Sequence, residues 1–79
     1  MNIFEIGKIY KAIVGNNEFT FKVLFRTEKV VKIQDNHEDI YTVRLNTSNA
    51  CNSEFCIPYG IFEDTPVLFA SKAFSWIIY

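Results

Sequence analysis

The clearest hydrophobic pattern in the chain lies between Glu18 and Arg26 (EFTFKVLFR), where apolar and polar residues alternate. Every second residue from Phe19 to Phe25 is large and apolar, so these side chains share one side of an extended backbone. A helix would scatter the same side chains around its axis. The alternation therefore predicts a β-strand whose Phe-rich side, including Phe25, is buried and whose other side, including Arg26, faces outward.

Further strands are predicted on both sides of this one, because short β-favouring segments alternate with turn-forming residues. The predicted strands are Lys8–Val14, Glu18–Arg26, Lys29–Asp35, Asp39–Asn46, Phe55–Ile57 and Val67–Ala70. We expect turns at Gly15-Asn16-Asn17 and Pro58-Tyr59-Gly60, and a polar surface loop over Thr47–Glu54.

Two segments leave alternatives open. Residues Ile61–Thr65 (IFEDT) are compatible with a single α-helical or 3₁₀ turn before Pro66. The tail Ser71–Tyr79 (SKAFSWIIY) is compatible with a strand or a helix. Its apolar end, Trp76 to Tyr79, favours the strand because aromatic and β-branched residues prefer extended backbone.

Strand register can be predicted from the rule that directly opposed residues share a face. A two-residue turn at Thr27-Glu28 would place Val23 opposite Lys32 and mix core with solvent. A three-residue turn that also includes Arg26 places Val23 opposite Val31, and we expect this register. A β-bulge would break this parity.

The same test applies to the next hairpin. A three-residue turn at Asn36-His37-Glu38 places Ile33 opposite Tyr41 and Val31 opposite Val43. Together the strands predict an all-β fold, with one short helical turn left as an alternative: a five- to six-stranded antiparallel barrel or curled sheet, SH3-like or OB-like. Closing the sheet would remove the edges that an open meander leaves exposed.

Composition favours a single small β domain over residues 1–79. Of the 79 residues, 49% are hydrophobic and 16% aromatic, including eight Phe. A chain this short buries only roughly 60% of its unfolded surface, so the aromatic side chains must supply much of the core. The N-terminal NIFEIGKIY lacks a signal-peptide pattern, and no apolar run approaches the ~20 residues of a membrane span. We therefore expect a cytoplasmic protein that does not enter a membrane.

The candidate metal ligands are few. Cys51 and Cys56 are spaced more widely than a zinc-binding C-x-x-C pair, and His37 is the single histidine. A Cys–His nucleophile pair is also disfavoured, because a strand of about 25 Å would separate these groups. The cysteines are expected to be reduced and to pack as small apolar side chains.

Other catalytic patterns are equally weak. The acidic pairs Glu38-Asp39 and Glu63-Asp64 are typical of solvated turns, and the three glycines are isolated, so no phosphate-binding loop is indicated. The sequence therefore predicts no catalytic, cofactor-binding or metal-binding residue, and a protein that is not an enzyme.

The outward side of the central strands is the candidate binding surface. In the expected register Lys22 lies opposite Lys32, with Arg44 one strand further on the same face. Opposed like charges are destabilising, so the face is either an ordinary mixed solvent-exposed face or a surface used for an acidic partner. Leu24, Val30 and Ile40 would form an apolar centre with a polar rim, which is typical of protein-binding surfaces. The predicted partner-binding residues are Lys22, Leu24, Val30, Lys32 and Arg44.

Single-stranded nucleic acid is the alternative partner. The net charge of −1, from eight basic and nine acidic residues, counts against it because such proteins usually carry a basic excess. With Phe25 assigned to the core, no exposed aromatic residue is expected among the basic ones. A homodimer through the apolar tail residues Phe74, Trp76 and Ile78 is a further expectation.

The segment FKVLFRTEKVVKI, followed by IPYG and PVLFA, resembles a group of small proteins carried by bacteriophages and mobile elements. Their shared pattern, VLxRTxKxVxI then PxG then PVxxA, corresponds here to Val23–Ile33, Pro58–Gly60 and Pro66–Ala70. The chain departs from it in the TSNACNS loop and in the tail. The resemblance implies a small β protein that binds a host protein and inhibits it, in the manner of anti-defence or anti-CRISPR proteins.

Overall fold

The computed structural model describes residues 1–60 and 65–72 of the chain, and these residues form two antiparallel β-sheets. The strands are β1 (Ile9–Val14), β2 (Asn17–Arg26), β3 (Val30–Asp35), β4 (Ile40–Arg44), β5 (Asn46–Ser48), β6 (Ser53–Cys56) and β7 (Leu68–Phe69), followed by a 3₁₀ turn at Ala70–Lys72. One sheet has the order β1-β2-β3-β4 and the other β5-β6-β7. The predicted all-β class is confirmed.

The chain passes from the first sheet to the second at Leu45, which alone separates β4 from β5. Within the described residues the two sheets do not join into a closed barrel. The prediction of a surface loop over Thr47–Glu54 is wrong, because Thr47 pairs with Glu54 in a β5–β6 hairpin. The turn-forming residues between these strands close the hairpin.

The predictions for the C-terminal part of the chain are confirmed in part. The turn at Pro58-Tyr59-Gly60 is confirmed by a hydrogen bond from the Gly60 N–H to the Ile57 carbonyl. The expected strand over Val67–Ala70 is shorter, because Ala70 begins the 3₁₀ turn. The predicted helical turn over Ile61–Thr65 falls mostly outside the described residues, as do the predicted tail strand and the dimer residues Phe74, Trp76 and Ile78.

The core lies between the inner sides of the two sheets. Its fully buried apolar residues come from both sheets, the N-terminal segment and the 3₁₀ turn: Phe4, Tyr10, Ala12, Phe21, Val23, Val31, Ile33, Cys56, Leu68 and Ala70. Phe4 meets Tyr10 edge-to-face, with ring centroids 4.9 Å apart. Such an aromatic pair contributes roughly 0.5–1.5 kcal/mol beyond its area burial, so the N-terminal segment is an integral part of the fold.

A β-bulge in β2 changes which side chains face the core. Val23 pairs with Ile33, but Phe25 pairs with Lys32, so Leu24 is an extra residue without a cross-strand partner. From Phe25 onward the alternation is reversed: Phe25 lies 55% exposed, and Arg26 pairs with Val31 on the inner side. The predictions of a buried Phe25 and an outward Arg26 are therefore wrong.

The hairpin between β2 and β3 also differs from the prediction, both in its turn residues and in its strand register. Thr27 donates its backbone N–H to the Val30 carbonyl, and its Oγ1 accepts from the N–H groups of Lys29 and Val30. The turn therefore has Glu28 and Lys29 at its tip, not Arg26-Thr27-Glu28. Val23 lies opposite Ile33 and not opposite Val31, which is a shift of two residues that keeps both side chains in the core.

The hairpin between β3 and β4 has the predicted three-residue turn. Ile33 pairs with Tyr41 and Val31 with Val43, as expected. The Asp35 carboxylate holds the turn by accepting hydrogen bonds from the backbone N–H groups of His37 and Asp39. An aspartate in this position stabilises the turn because its side chain satisfies amides that the turn leaves unpaired.

The inward Arg26 forms a two-point salt bridge with Glu54 of β6. Its Nη1 lies 2.6 Å from Oε1 of Glu54 and its Nη2 lies 2.9 Å from Oε2. Nη1 also donates to the Phe4 carbonyl, while the Phe4 N–H donates to Oε1 of Glu54. The pair thus joins β2, β6 and the N-terminal segment, and it is largely buried, with side chains 19% and 9% exposed.

The bulge predicts that replacing two phenylalanines of β2 with Ala will have very different effects on the free energy of unfolding. Replacing Phe21 with Ala should lower the free energy of unfolding by about 3–5 kcal/mol, because this ring is fully buried. Replacing Phe25 with Ala should lower it by less than about 1 kcal/mol. Urea unfolding of both variants measures these losses, and equal losses would show that Phe25 is a core residue.

The Arg26–Glu54 pair predicts a loss of stability that depends on pH. Glu54→Gln leaves a largely buried guanidinium without its charge partner and should destabilise the fold by about 3 kcal/mol at neutral pH. Burial raises the pKa of the Glu54 carboxyl, but hydrogen bonds from Arg26 and Phe4 outweigh burial and hold this pKa below its usual range. The stabilisation is therefore present above the ordinary glutamate pKa and is lost as the pH falls toward the folded-state value.

The measurement is urea unfolding of wild type and Glu54→Gln at a series of pH values. The difference between them should shrink as the solution is acidified below the ordinary glutamate pKa. Glu18→Gln is the matched control, because Glu18 also pairs with a cation, Lys11, but its side chain is 57% exposed. It should change stability by less than about 0.5 kcal/mol. A difference for Glu54→Gln that is constant with pH would contradict the assignment.

Candidate functional site

The four-stranded sheet has one side turned away from the core, which we call the outer sheet face. Its residues alternate along each strand with the core residues. Paired positions form cross-strand rows, and one row crosses all four strands from Ile9 through Lys22 and Gln34 to Ile40. The face consists of Ile9, Lys11, Ile13, Glu18, Thr20, Lys22, Phe25, Val30, Lys32, Gln34, Ile40, Thr42 and Arg44. The bulged Leu24 lies within β2, next to Phe25 of this face.

The structure places the predicted partner-binding residues on neighbouring strands of this sheet. Lys22, Lys32 and Arg44 are exposed, while Leu24 and Val30 are half-buried. The expected direct opposition of Lys22 and Lys32 is wrong, because the bulge places Gln34 opposite Lys22. Lys32 is the diagonal neighbour of Lys22, at the ~7–8 Å typical of such pairs. The repulsion that first suggested an acidic partner is therefore weaker than the sequence implied.

The outer sheet face is nevertheless cationic. It carries four cations and one carboxylate, although the whole chain has a net charge of −1. Lys11 pairs with that carboxylate, Glu18. The remaining cations form no ion pair with any residue of the described ranges: Lys22, Lys32 and Arg44. Since acidic residues such as Glu28 and Glu38 lie in hairpin turns, charge is separated between the face and its surroundings.

Phe25 is the residue of this face that the sequence pattern missed. It is 55% exposed and lies opposite Lys32, so an aromatic ring projects beside a cation without an acidic neighbour in its row. The one local signal was the consecutive apolar triplet Val23-Leu24-Phe25, which interrupts strict alternation and is compatible with a bulge. With Ile40, 56% exposed on the edge strand β4 in the neighbouring cross-strand row, Phe25 makes the face apolar as well as cationic.

A second cluster surrounds Tyr59, which links the Pro58-Tyr59-Gly60 turn to the first sheet. Its hydroxyl donates a 2.8 Å hydrogen bond to Oδ2 of Asp35, and its ring packs edge-to-face on Tyr41 at 5.1 Å. Burial, and then the bond to Asp35, raise the pKa of Tyr59. Burial also raises the pKa of Asp35, but the hydrogen bonds it accepts outweigh burial and lower that pKa.

The Asp35 carboxylate accepts bonds on both of its oxygens, from Tyr59 and from the backbone of its own turn. These contacts bind the β3–β4 hairpin to the segment after β6. The arrangement is one of structural support, because the acid and the phenol already satisfy each other.

The cysteines occupy different environments. Cys56 is buried in the core, and burial raises the pKa of its thiol to about 12, so it remains protonated at neutral pH. Cys51 is exposed in the β5–β6 hairpin turn. In residues 1–60 and 65–72 no group of three or more His, Cys, Asp or Glu side chains is arranged to hold a metal ion. The same residues contain no helix of the length and apolar character needed to cross a membrane.

Comparison with known proteins adds no assignment: no protein-family model matches the chain, and no curated protein and no solved structure is significantly similar to it. The outer sheet face is therefore the basis for the proposed function.

Proposed function

We propose that the protein is a non-catalytic binding module whose outer sheet face captures a protein with an acidic surface. The observation that carries this proposal is a set of cations without an ion pair among the described residues, Lys22, Lys32 and Arg44, around exposed and half-exposed apolar side chains. An apolar centre gives binding energy through burial, and the surrounding cations select an acidic partner and accelerate its association.

The apolar part of the face is large enough to contribute to the free energy of binding. Completing the burial of Phe25 would contribute about 1–2 kcal/mol, and Ile40 would add a similar amount. Leu24 and Val30 are half-buried already, so they shape the floor of the surface more than they add energy. Aromatic residues with cations nearby are the composition that binding hot spots favour.

The proposal extends to the biological setting that the sequence resemblance implies. A phage or mobile-element protein of this size would act in the cytosol of its host and inhibit a host protein by covering the surface it binds. Inhibition by occupation requires no catalytic group. We also propose that the two sheets are the two halves of a small open barrel of the SH3-like or OB-like kind, because only Leu45 separates β4 from β5 and β1 packs against β7.

Charge reversal on the face tests the proposed function. A pull-down from host cytosol followed by mass spectrometry would first identify a partner, and its affinity for purified variants would then be measured by calorimetry. Lys22→Glu and Lys32→Glu should each weaken binding by about tenfold or more, because each places a carboxylate against an acidic partner.

Lys29→Glu is the matched control, since it makes the same charge change in the β2–β3 turn, outside the face. It should bind nearly as well as wild type. The face assignment fails when all three variants, still folded by circular dichroism, bind with the affinity of the wild-type chain.

Single-stranded nucleic acid is the second candidate, and the exposed Phe25 beside Lys32 is the observation that favours it. An aromatic ring on a cationic sheet is the arrangement on which unpaired bases stack. Three unpaired cations without a second exposed ring on the face are few for such a site, and the net charge of −1 opposes it. We therefore rank it below protein binding.

A gel-shift titration with a labelled single-stranded oligonucleotide separates the two candidates. We expect no shift at low salt, because the proposed site is matched to a protein surface. A shift that weakens about twentyfold between 50 and 200 mM salt, as three phosphate contacts would require, and that Phe25→Ala abolishes, would make nucleic-acid binding the better assignment.

A further inference from the structure

Among the strands of residues 1–60 and 65–72, β4 lies at an edge of the four-stranded sheet, and the hydrogen bonds to β3 fix the directions of its backbone groups. Asp35 donates its N–H to the Asp39 carbonyl, and Leu45 donates to the Lys29 carbonyl. In an antiparallel pair the bonded positions recur at every second residue. The odd-numbered residues of β4 therefore bond to β3, and the N–H and C=O groups of Ile40, Thr42 and Arg44 point away from the sheet.

No strand in the described part of the chain pairs with these outward backbone groups. The strand sequence IYTVR contains no proline and no bulge, and its single charged residue, Arg44, lies at one end. The other edge strand of this sheet, β1, packs against β7 and the 3₁₀ turn. Strand β4 is thus the position where a further strand can be added.

We infer that the added strand is β4 of a second copy, which joins two molecules through antiparallel pairing about a two-fold axis at Thr42. This inference goes beyond the proposed function. In that register Thr42 faces Thr42 of the other copy, and Ile40 faces Arg44. Outward backbone groups then meet outward backbone groups at all three positions, which allows six hydrogen bonds between the copies.

The register is self-complementary in its side chains as well. On the outer side, the central Thr–Thr pair is a favourable cross-strand contact, and Ile40 packs along the aliphatic stem of Arg44. On the inner side, Tyr41 faces Val43 of the other copy, and aromatic–β-branched pairs of this kind stabilise sheets. Both residues are half-buried in one molecule, so the contact would complete their burial.

Repulsion does not oppose this pairing. The two Arg44 side chains lie four residues apart along the junction, at about 13 Å. The two Lys32 side chains are separated by three strand spacings, or about 14 Å. Both distances exceed the Debye length at physiological salt. The two outer sheet faces would then form one continuous eight-stranded face with two copies of the cationic site.

The test changes the residue on the two-fold axis. Sedimentation equilibrium of the full chain should show a monomer–dimer equilibrium. Thr42→Glu and Thr42→Lys should each be monomeric where wild type is dimeric, because identical charges would meet at the axis. An equimolar mixture of the two variants should recover the dimer, since the charges are then opposite.

Thr20→Glu is the matched control, because Thr20 lies on the same outer sheet face but on β2, away from the edge. It should dimerise as wild type does. Hydrogen exchange gives a reading without any substitution: the Ile40, Thr42 and Arg44 amides should be protected at concentrations that form the dimer and exchange rapidly on dilution.

Three results would overturn the inference. The first is a wild-type chain that stays monomeric up to about 1 mM. A monomer whose β4 edge binds a strand of a partner protein would count as this same result. The second is a dimer that Thr42→Glu leaves intact and that truncation after Ala73 abolishes, which would place the contact in the tail. The third is a mixture of Thr42→Glu and Thr42→Lys that remains monomeric while both variants are folded.

Discussion

The bond between Arg26 and Glu54 is the interaction on which the rest of the structure depends. It connects the first sheet to the second, and both partners also bond the backbone of Phe4. A guanidinium and a carboxylate removed from water need a geometry in which each is fully bonded, and the two-point contact provides it. The core residues of both sheets are therefore held in one arrangement by a polar contact at their margin.

This salt bridge exists because β2 contains a bulge. Without the extra residue Leu24, Arg26 would face solvent and Phe25 would face the core, as strict alternation requires. The bulge thus exchanges a core phenylalanine for a buried cation and sends the aromatic ring to the outer sheet face. The same local distortion supplies the contact between the sheets and the most exposed aromatic side chain of the candidate site.

The outer sheet face and the β4 edge result from the way this small molecule distributes its residues between the core and the solvent. The core takes the inward positions of both sheets, so the cations and remaining apolar side chains are left on the opposite side. Because β4 ends at the point where the chain enters the second sheet, its edge has no covering strand in the described residues. A face with binding character and an open edge lie next to each other for this reason.

The sequence by itself determined the all-β class, the four strands of the meander, the β3–β4 register and the membership of Lys22, Lys32 and Arg44 in one face. These follow from period-two alternation and from turn residues, which act over a few neighbours. Only the tertiary structure decided the bulge at Leu24, the β5–β6 hairpin and the partner of Arg26. The bulge and the contact of Arg26 depend on Glu54 and Phe4, which are distant in the chain and leave no periodic signal in its sequence. The β5–β6 hairpin is local, but its residues are mostly small and polar and show no hydrophobic alternation.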